Sequence, residues 1–178
     1  MEKQRKPFPK NTVGVVARLV PKEGGKILNI ATFSEDNFVE KLPLFLDELK
    51  QICWKRRAYL EDICSFRSWE ECQNDAGDDP IGSKKDFVIA VCKAVKGPNC
   101  LSDSQVSLLE RCVKRLYEPY FNSRDEQTGK YDQSKIPTMR DIYNLVRAQC
   151  GFDAYDLAMT LKEVLPDLTS KEDENKQK

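Results

Sequence analysis

The chain has 178 residues, enough for one domain of ordinary size. Its 29 basic and 29 acidic residues cancel, which excludes a broad nucleic-acid or anionic-membrane surface but leaves room for a local patch. It contains no histidine, so any catalysis would fall to carboxylates, Lys, Tyr or Cys.

Residues 1–11 are basic and carry no apolar h-region, so they read as a disordered arm and not as a secretory signal. No apolar run approaches the ~18 residues that span a bilayer, and the expected location is cytoplasmic. Residues 12–20 and 26–33 are rich in β-branched residues and are separated by Pro21-Lys22-Glu23-Gly24-Gly25, which is turn chemistry. This predicts a β-hairpin. Two strands alone are marginal in water, so the hairpin must pack on helices or pair with another chain through an open edge.

Ser34 is placed to cap a helix that starts at Glu35, and Pro43 to restart it. Between Leu44 and Ile63, Phe45, Leu49, Ile52, Cys53, Leu60 and Ile63 fall mostly on one helical face, with Lys55, Arg56 and Arg57 as a charged interruption. Residues 65–82, rich in acidic and turn residues, read as a linker.

Three capping signatures follow. Ser83 with Asp86 opens a helix through Lys96, Ser102 with Gln105 one through about Phe121, and Thr138 with Asp141 one through about Gln149. Val106, Leu109, Val113, Leu116 and Tyr120 recur at three- and four-residue steps, the mark of a buried stripe. Gly151 ends the third helix, and a last one runs from about Asp153 to Leu165, where Pro166 stops it. Residues 167–178 are a charged tail with almost nothing to bury.

The expected fold is α+β, mainly α, with an N-terminal β-hairpin followed by about five helices in a small bundle. Residues 1–77 hold the hairpin and a long helix, residues 78–166 a helical module, and residues 167–178 the disordered tail.

The chemistry-bearing motifs are few. Cysteines at 53, 64, 72, 92, 100, 112 and 150 are odd in number and form no C-x-x-C pair, so they read as reduced structural thiols and not as zinc ligands. Cys92 and Cys112 lie in apolar helical runs, as small hydrophobes do. The stretch from Gly77 to Lys84 has the glycine spacing of a phosphate-binding loop, but its Ser-Lys order is reversed, two aspartates would face the phosphates, and no apolar strand precedes it. Adjacent carboxylates such as Glu70/Glu71 and Asp78/Asp79 read as solvated charge, because an acid/base pair must converge across a pocket. Two basic groups on helices, Lys55/Arg56/Arg57 and Arg111/Lys114/Arg115, are the candidate interaction surface, set against the plainer reading of solvated helix faces. Tyr117, Tyr120 and Phe121 beside the second group could stack on single-stranded nucleic acid, but their spacing favours core packing. No catalytic residue, metal ligand or cofactor site is assigned.

From about Asp78 to Leu165 the phrases DDPIGSKKDFVIAVCKAV, LLERCVKRLYEPYF, IPTMRDIYNLVRAQ and AYDLAMTLKEVL follow one another in order. With that order and spacing, the region resembles part of the large ATPase of conjugative type IV secretion systems. In that family it is an all-helical insertion in the motor domain, and members act as oligomers at the cytoplasmic face of the membrane. The resemblance covers about half the chain, and none of the family's nucleotide-binding motifs has a counterpart here. It implies lineage without motor activity.

The expected function is therefore non-enzymatic protein–protein interaction, with a secretion-system component as the implied partner. The alternative is a small inhibitor or regulator carried by a bacterial mobile genetic element, of the anti-defence or anti-CRISPR type, which binds a host defence protein or nucleoprotein. Nucleic acid would be reached only through a local basic patch, and the sequence leaves the oligomeric state open.

Overall fold

The computed structural model describes residues 6–67 and 80–165. Strand β1 (Thr12–Pro21) and strand β2 (Ile27–Ser34) pair antiparallel, with Thr12 opposite Ser34 and Leu19 opposite Ile27. Gly24 and Gly25 make the turn at φ 92° and 86°, a backbone region that glycine enters without steric cost. The predicted hairpin is present.

Helix α1 spans Phe38–Arg56. It starts after Asn37, later than the expected start at Glu35, because Asn37 N donates to Ser34 O in a turn that completes the strand exit. Pro43 lies inside α1 and does not restart it. The helix ends at Arg57, in the left-handed region at φ 46°, whose carbonyl accepts from Lys22 N.

The expected helical run to Ile63 is corrected by strand β3 (Ala58–Phe66), which pairs antiparallel with β1 and makes it the central strand of the order β2-β1-β3. The error has a local cause. Leu60 lies opposite Leu19 and Ile63 opposite Ala17, so the inward pair is two residues apart on β1 but three apart on β3. The extra residue is Glu61, at a β-bulge beside Arg18. A bulged strand thus imitates the i, i+3 spacing of a helix. Gly14 on β1 stands opposite Phe66, and a Cβ there would run into the Phe66 ring, which Phe8 covers at 5.3 Å.

The remaining helices among the described residues are α2 (Pro80–Lys96), α3 (Asp103–Phe121), α4 (Met139–Arg147) and α5 (Phe152–Val164), with a 3₁₀ turn at Gln133–Lys135. The described residues are mainly helical, with one antiparallel sheet. Most of the expected linker lies outside the described residues. At its ends, Ser65 and Phe66 belong to β3, and Pro80, Ile81 and Gly82 form the first turn of α2. Helix α2 therefore opens at proline, ahead of Ser83, as suits a first helical position.

The other two caps form as expected. Gln105 N donates to Ser102 Oγ at 3.2 Å while Ser102 N donates to Gln105 Oε1 at 2.8 Å. Asp141 N donates to Thr138 Oγ1 at 3.2 Å while Thr138 N donates to Asp141 Oδ2 at 2.8 Å. Gly151, at φ 110°, sits at the start of α5 after α4 has ended at Ala148.

One core joins all of this. It runs from Val15, Ala17 and Leu19 through Leu42, Leu49, Leu60 and Ile63 to Val88, Leu109, Ile142, Leu157 and Leu161. Helix α1 packs on the sheet and on α2, and α4 packs on α3, α5 and β3. On α3 the buried stripe is Leu108, Leu109, Cys112, Val113, Tyr117 and Tyr120, whereas the predicted Val106 and Leu116 are half-buried at its margin. Tyr117 meets the core with its hydroxyl satisfied, donating to Pro137 O at 3.2 Å. Cys53, Cys92 and Cys112 are buried, and no disulfide joins two of the described cysteines.

Candidate interaction surface

The first predicted basic group closes α1. Lys55 and Arg56 occupy its last turn, and Arg57 is the left-handed residue beyond it. All three are exposed. The Lys22 N to Arg57 O hydrogen bond, 2.9 Å, sets this helix end beside the hairpin turn. Sequence reasoning missed the residue between the core and these cations, Trp54, which is 68 % exposed. Tryptophan is the largest apolar side chain, and leaving most of it in water is unfavourable unless something covers it. The helix end thus exposes one large aromatic side chain and the three cations that follow it. Cations near a helix C-terminus also complement its dipole, which gives Lys55 and Arg56 a plainer local role as well.

The second group, Arg111, Lys114 and Arg115, lies exposed on α3. Lys114 is partly neutralised by Glu118, 3.7 Å away one turn on. Helix α3 packs on α2, α4 and α5. The two groups thus sit on different helices, α1 and α3, both of which pack on α2. Tyr117, Tyr120 and Phe121 beside the second group pack on one another and on Tyr131, with Tyr117 and Tyr120 fully buried, so the core reading of these rings holds.

The glycine-spaced stretch is only partly described, since residues 77–79 lie outside the described residues. Its lysine is placed. Lys84 is buried in α2, and its ammonium donates to Asp62 Oδ1 at 2.8 Å and to Ile63 O at 3.1 Å. Burial lowers the lysine's proton affinity, but the adjacent Asp62 carboxylate, with smaller contributions from Tyr117 and Cys64, reverses this and holds it above the ordinary lysine range. Asp62 Oδ1 also accepts from Met139 N, the first residue of α4, at 2.7 Å. Arg140 donates to Leu60 O at 3.0 Å and lies over the Tyr59 ring at 4.9 Å. Asp62 thus ties β3, α2 and α4 together, and the lysine that a phosphate-binding loop would need is spent inside the fold.

A third surface had no sequence-based expectation. Phe152, Tyr155 and Met159 recur at i, i+3 and i+7 on α5 and are 81 %, 66 % and 40 % exposed. The buried face of α5 is carried instead by Ala154, Leu157, Ala158, Leu161 and Val164. Such spacing signals a core stripe, and only the packing of α5 reveals which of its two apolar faces is left in water.

Among the described residues no three His, Cys, Asp or Glu side chains converge as a metal site, and no helix is long and apolar enough to cross a membrane. Comparison with protein-family models, curated proteins and solved structures gave no match for this chain.

Proposed function

We propose that this chain is a non-enzymatic protein–protein interaction protein that binds through the end of α1. Trp54 is the anchor, and Lys55, Arg56 and Arg57 supply charge. The exposed Trp54 next to three exposed cations in sequence carries the reading, because Trp and Arg dominate the energetics of protein interfaces. The partner surface that fits is an apolar pocket rimmed by carboxylates. Opposite charge would steer the encounter, and the indole would supply the desolvated centre. The burial of Lys84 against Asp62 supports the non-enzymatic part of the reading. The helical module at residues 78–165 is proposed to descend from the helical insertion of the conjugative type IV secretion ATPase, which makes a secretion-channel component the first partner to seek.

The alternative, an inhibitor from a mobile genetic element, draws on the same helix end, since an exposed aromatic next to cations can also stack on the nucleic acid of a nucleoprotein. Affinity capture from a bacterial lysate with mass spectrometry tests both. Recovery of secretion-channel proteins, lost on Trp54→Ala, supports the first reading. Recovery of a defence nuclease or its guide complex, lost on the same change, supports the second. A partner retained in full by Trp54→Ala and by Lys55, Arg56 and Arg57 changed to Glu overturns the proposed surface.

A further inference from the structure

We infer that the chain self-associates through the free edge of β2, two copies pairing antiparallel about a two-fold axis so that two sheets of three strands become one continuous sheet. This is independent of the surface proposed above, which lies at the end of α1. The two edges of the sheet are treated differently. On β3, helix α4 packs alongside, Met139 N donates to Asp62, and Arg140 donates to Leu60 O. Among the described residues, strand β2 is hydrogen-bonded to β1 alone, so every second residue turns its N–H and C=O away from the sheet.

Exposed edges are usually blunted by a charge, a proline, a bulge or a short strand. Strand β2 has none of these devices. It is eight residues long, Ile-Leu-Asn-Ile-Ala-Thr-Phe-Ser, with no charge and no proline, and its register with β1 runs without irregularity. Its outer face carries Leu28, Ile30 and Thr32, with the apolar Leu28 60 % and Ile30 45 % exposed and no charge among the three.

A second copy is the occupant that this strand fits. A two-fold interface must be complementary to itself, and an uncharged antiparallel strand satisfies that condition. With Ile30 on the axis, Ile27 falls opposite Phe33, Leu28 opposite Thr32 and Asn29 opposite Ala31 of the second copy. This register pairs the strand along nearly its whole length and keeps the outer-face residues on one face. Lys26, at the mouth of β2, meets Ser34 and not its own copy, so no like charges face each other. The exposed Leu28 and Ile30 of both copies then form one apolar stripe across the joined sheet.

Sedimentation equilibrium of the full chain, with Ile30→Lys, Thr32→Lys and Ile30→Cys variants, tests this. Wild type should show a monomer–dimer equilibrium. Ile30→Lys should weaken it by more than about tenfold, because the new ammonium meets its own copy at the axis. Thr32→Lys places a charge on the same face of the strand and should weaken it too, which covers the case in which circular dichroism shows that Ile30→Lys does not fold. Ile30→Cys should oxidise to a disulfide that mass spectrometry maps as residue 30 joined to residue 30. A monomer at every concentration up to high micromolar overturns the inference, and so would be the result if the edge served a foreign strand. A dimer that the folded lysine variants leave intact, or that gives no link between the two copies of residue 30, overturns it as well.

Discussion

Removing the Asp62 carboxylate should be among the most damaging single changes in this chain. Asp62 and Lys84 have side chains only 7 % and 4 % exposed, so neither can exchange its partner for water. Asp62→Ala leaves the ammonium with Ile63 O as its remaining described acceptor and deprives Met139 N, at the start of α4, of its acceptor. Breaking one side of a buried ion pair costs about 3–5 kcal/mol, against a total stability of about 5–15 kcal/mol for a domain. Lys84→Met should cost a similar amount by stranding the carboxylate. The double variant Asp62→Ala with Lys84→Met should cost much less than the sum, because no buried charge remains. Its residual should be about 1–3 kcal/mol for the unpaired Met139 N–H. The lysine's affinity for its proton is raised on folding, so its contribution is complete below the unfolded pKa of about 10.4 and is lost only as pH climbs beyond it. The cycle should therefore read the same at pH 6 and pH 8. Urea unfolding followed by far-ultraviolet circular dichroism measures all four proteins. A cost below about 1 kcal/mol for Asp62→Ala, or strict additivity in the double variant, would show that the two side chains are not a buried, mutually dependent ion pair.

Leu109→Ala, at a fully buried position, should cost about 2–5 kcal/mol in the same assay, whereas half-buried Leu116→Ala should cost clearly less; equal values would contradict the assignment of the α3 stripe. Gly14→Ala should destabilise by about 1–3 kcal/mol because its methyl group meets the Phe66 ring, and Gly14→Ala with Phe66→Leu should recover part of that loss. Burial pushes the Cys53 thiol from 9.0 up to about 11, against an opposing effect of Arg140. Burial, with Cys100 nearby, likewise pushes the Cys92 thiol up to about 12. Above pH 9 the unfolded chain loses these protons first, so stability should fall from there toward pH 11 and stay unaffected by them at neutral pH; stability that is flat over that alkaline range would contradict the burial of both thiols. Calorimetry with ATP and magnesium should show no binding, and micromolar affinity abolished by Lys84→Ala would overturn the non-enzymatic reading.

Local signals were legible in the sequence. The hairpin was announced by its Gly24-Gly25 turn, α3 and α4 by the Ser102/Gln105 and Thr138/Asp141 boxes, and the break before α5 by Gly151. What failed was non-local. Strand β3 was hidden because the Glu61 bulge spaces Leu60 and Ile63 as a helix would, and only pairing with β1 decides between the two. The Asp62–Lys84 tie joins residues 22 apart across two elements, so no window of sequence contains its geometry. The cations at 55–57 could be read as a patch, but Trp54 beside them could not be told from a core residue until α1 was seen to bury Leu42, Phe45, Leu46, Leu49 and Cys53 instead. Helix α5 poses the same problem, with apolar residues on both faces and only one face covered.

The binding surface we propose is the end of α1, and not the α3 cations. Parallel affinity capture from one lysate with four baits tests it most directly: wild type, Trp54→Ala, Lys55/Arg56/Arg57→Glu, and Arg111/Lys114/Arg115→Glu, each confirmed folded by circular dichroism. The two α1 variants should lose the partner that wild type recovers, while the α3 variant keeps it. Loss in the α3 variant with full retention in both α1 variants would contradict it.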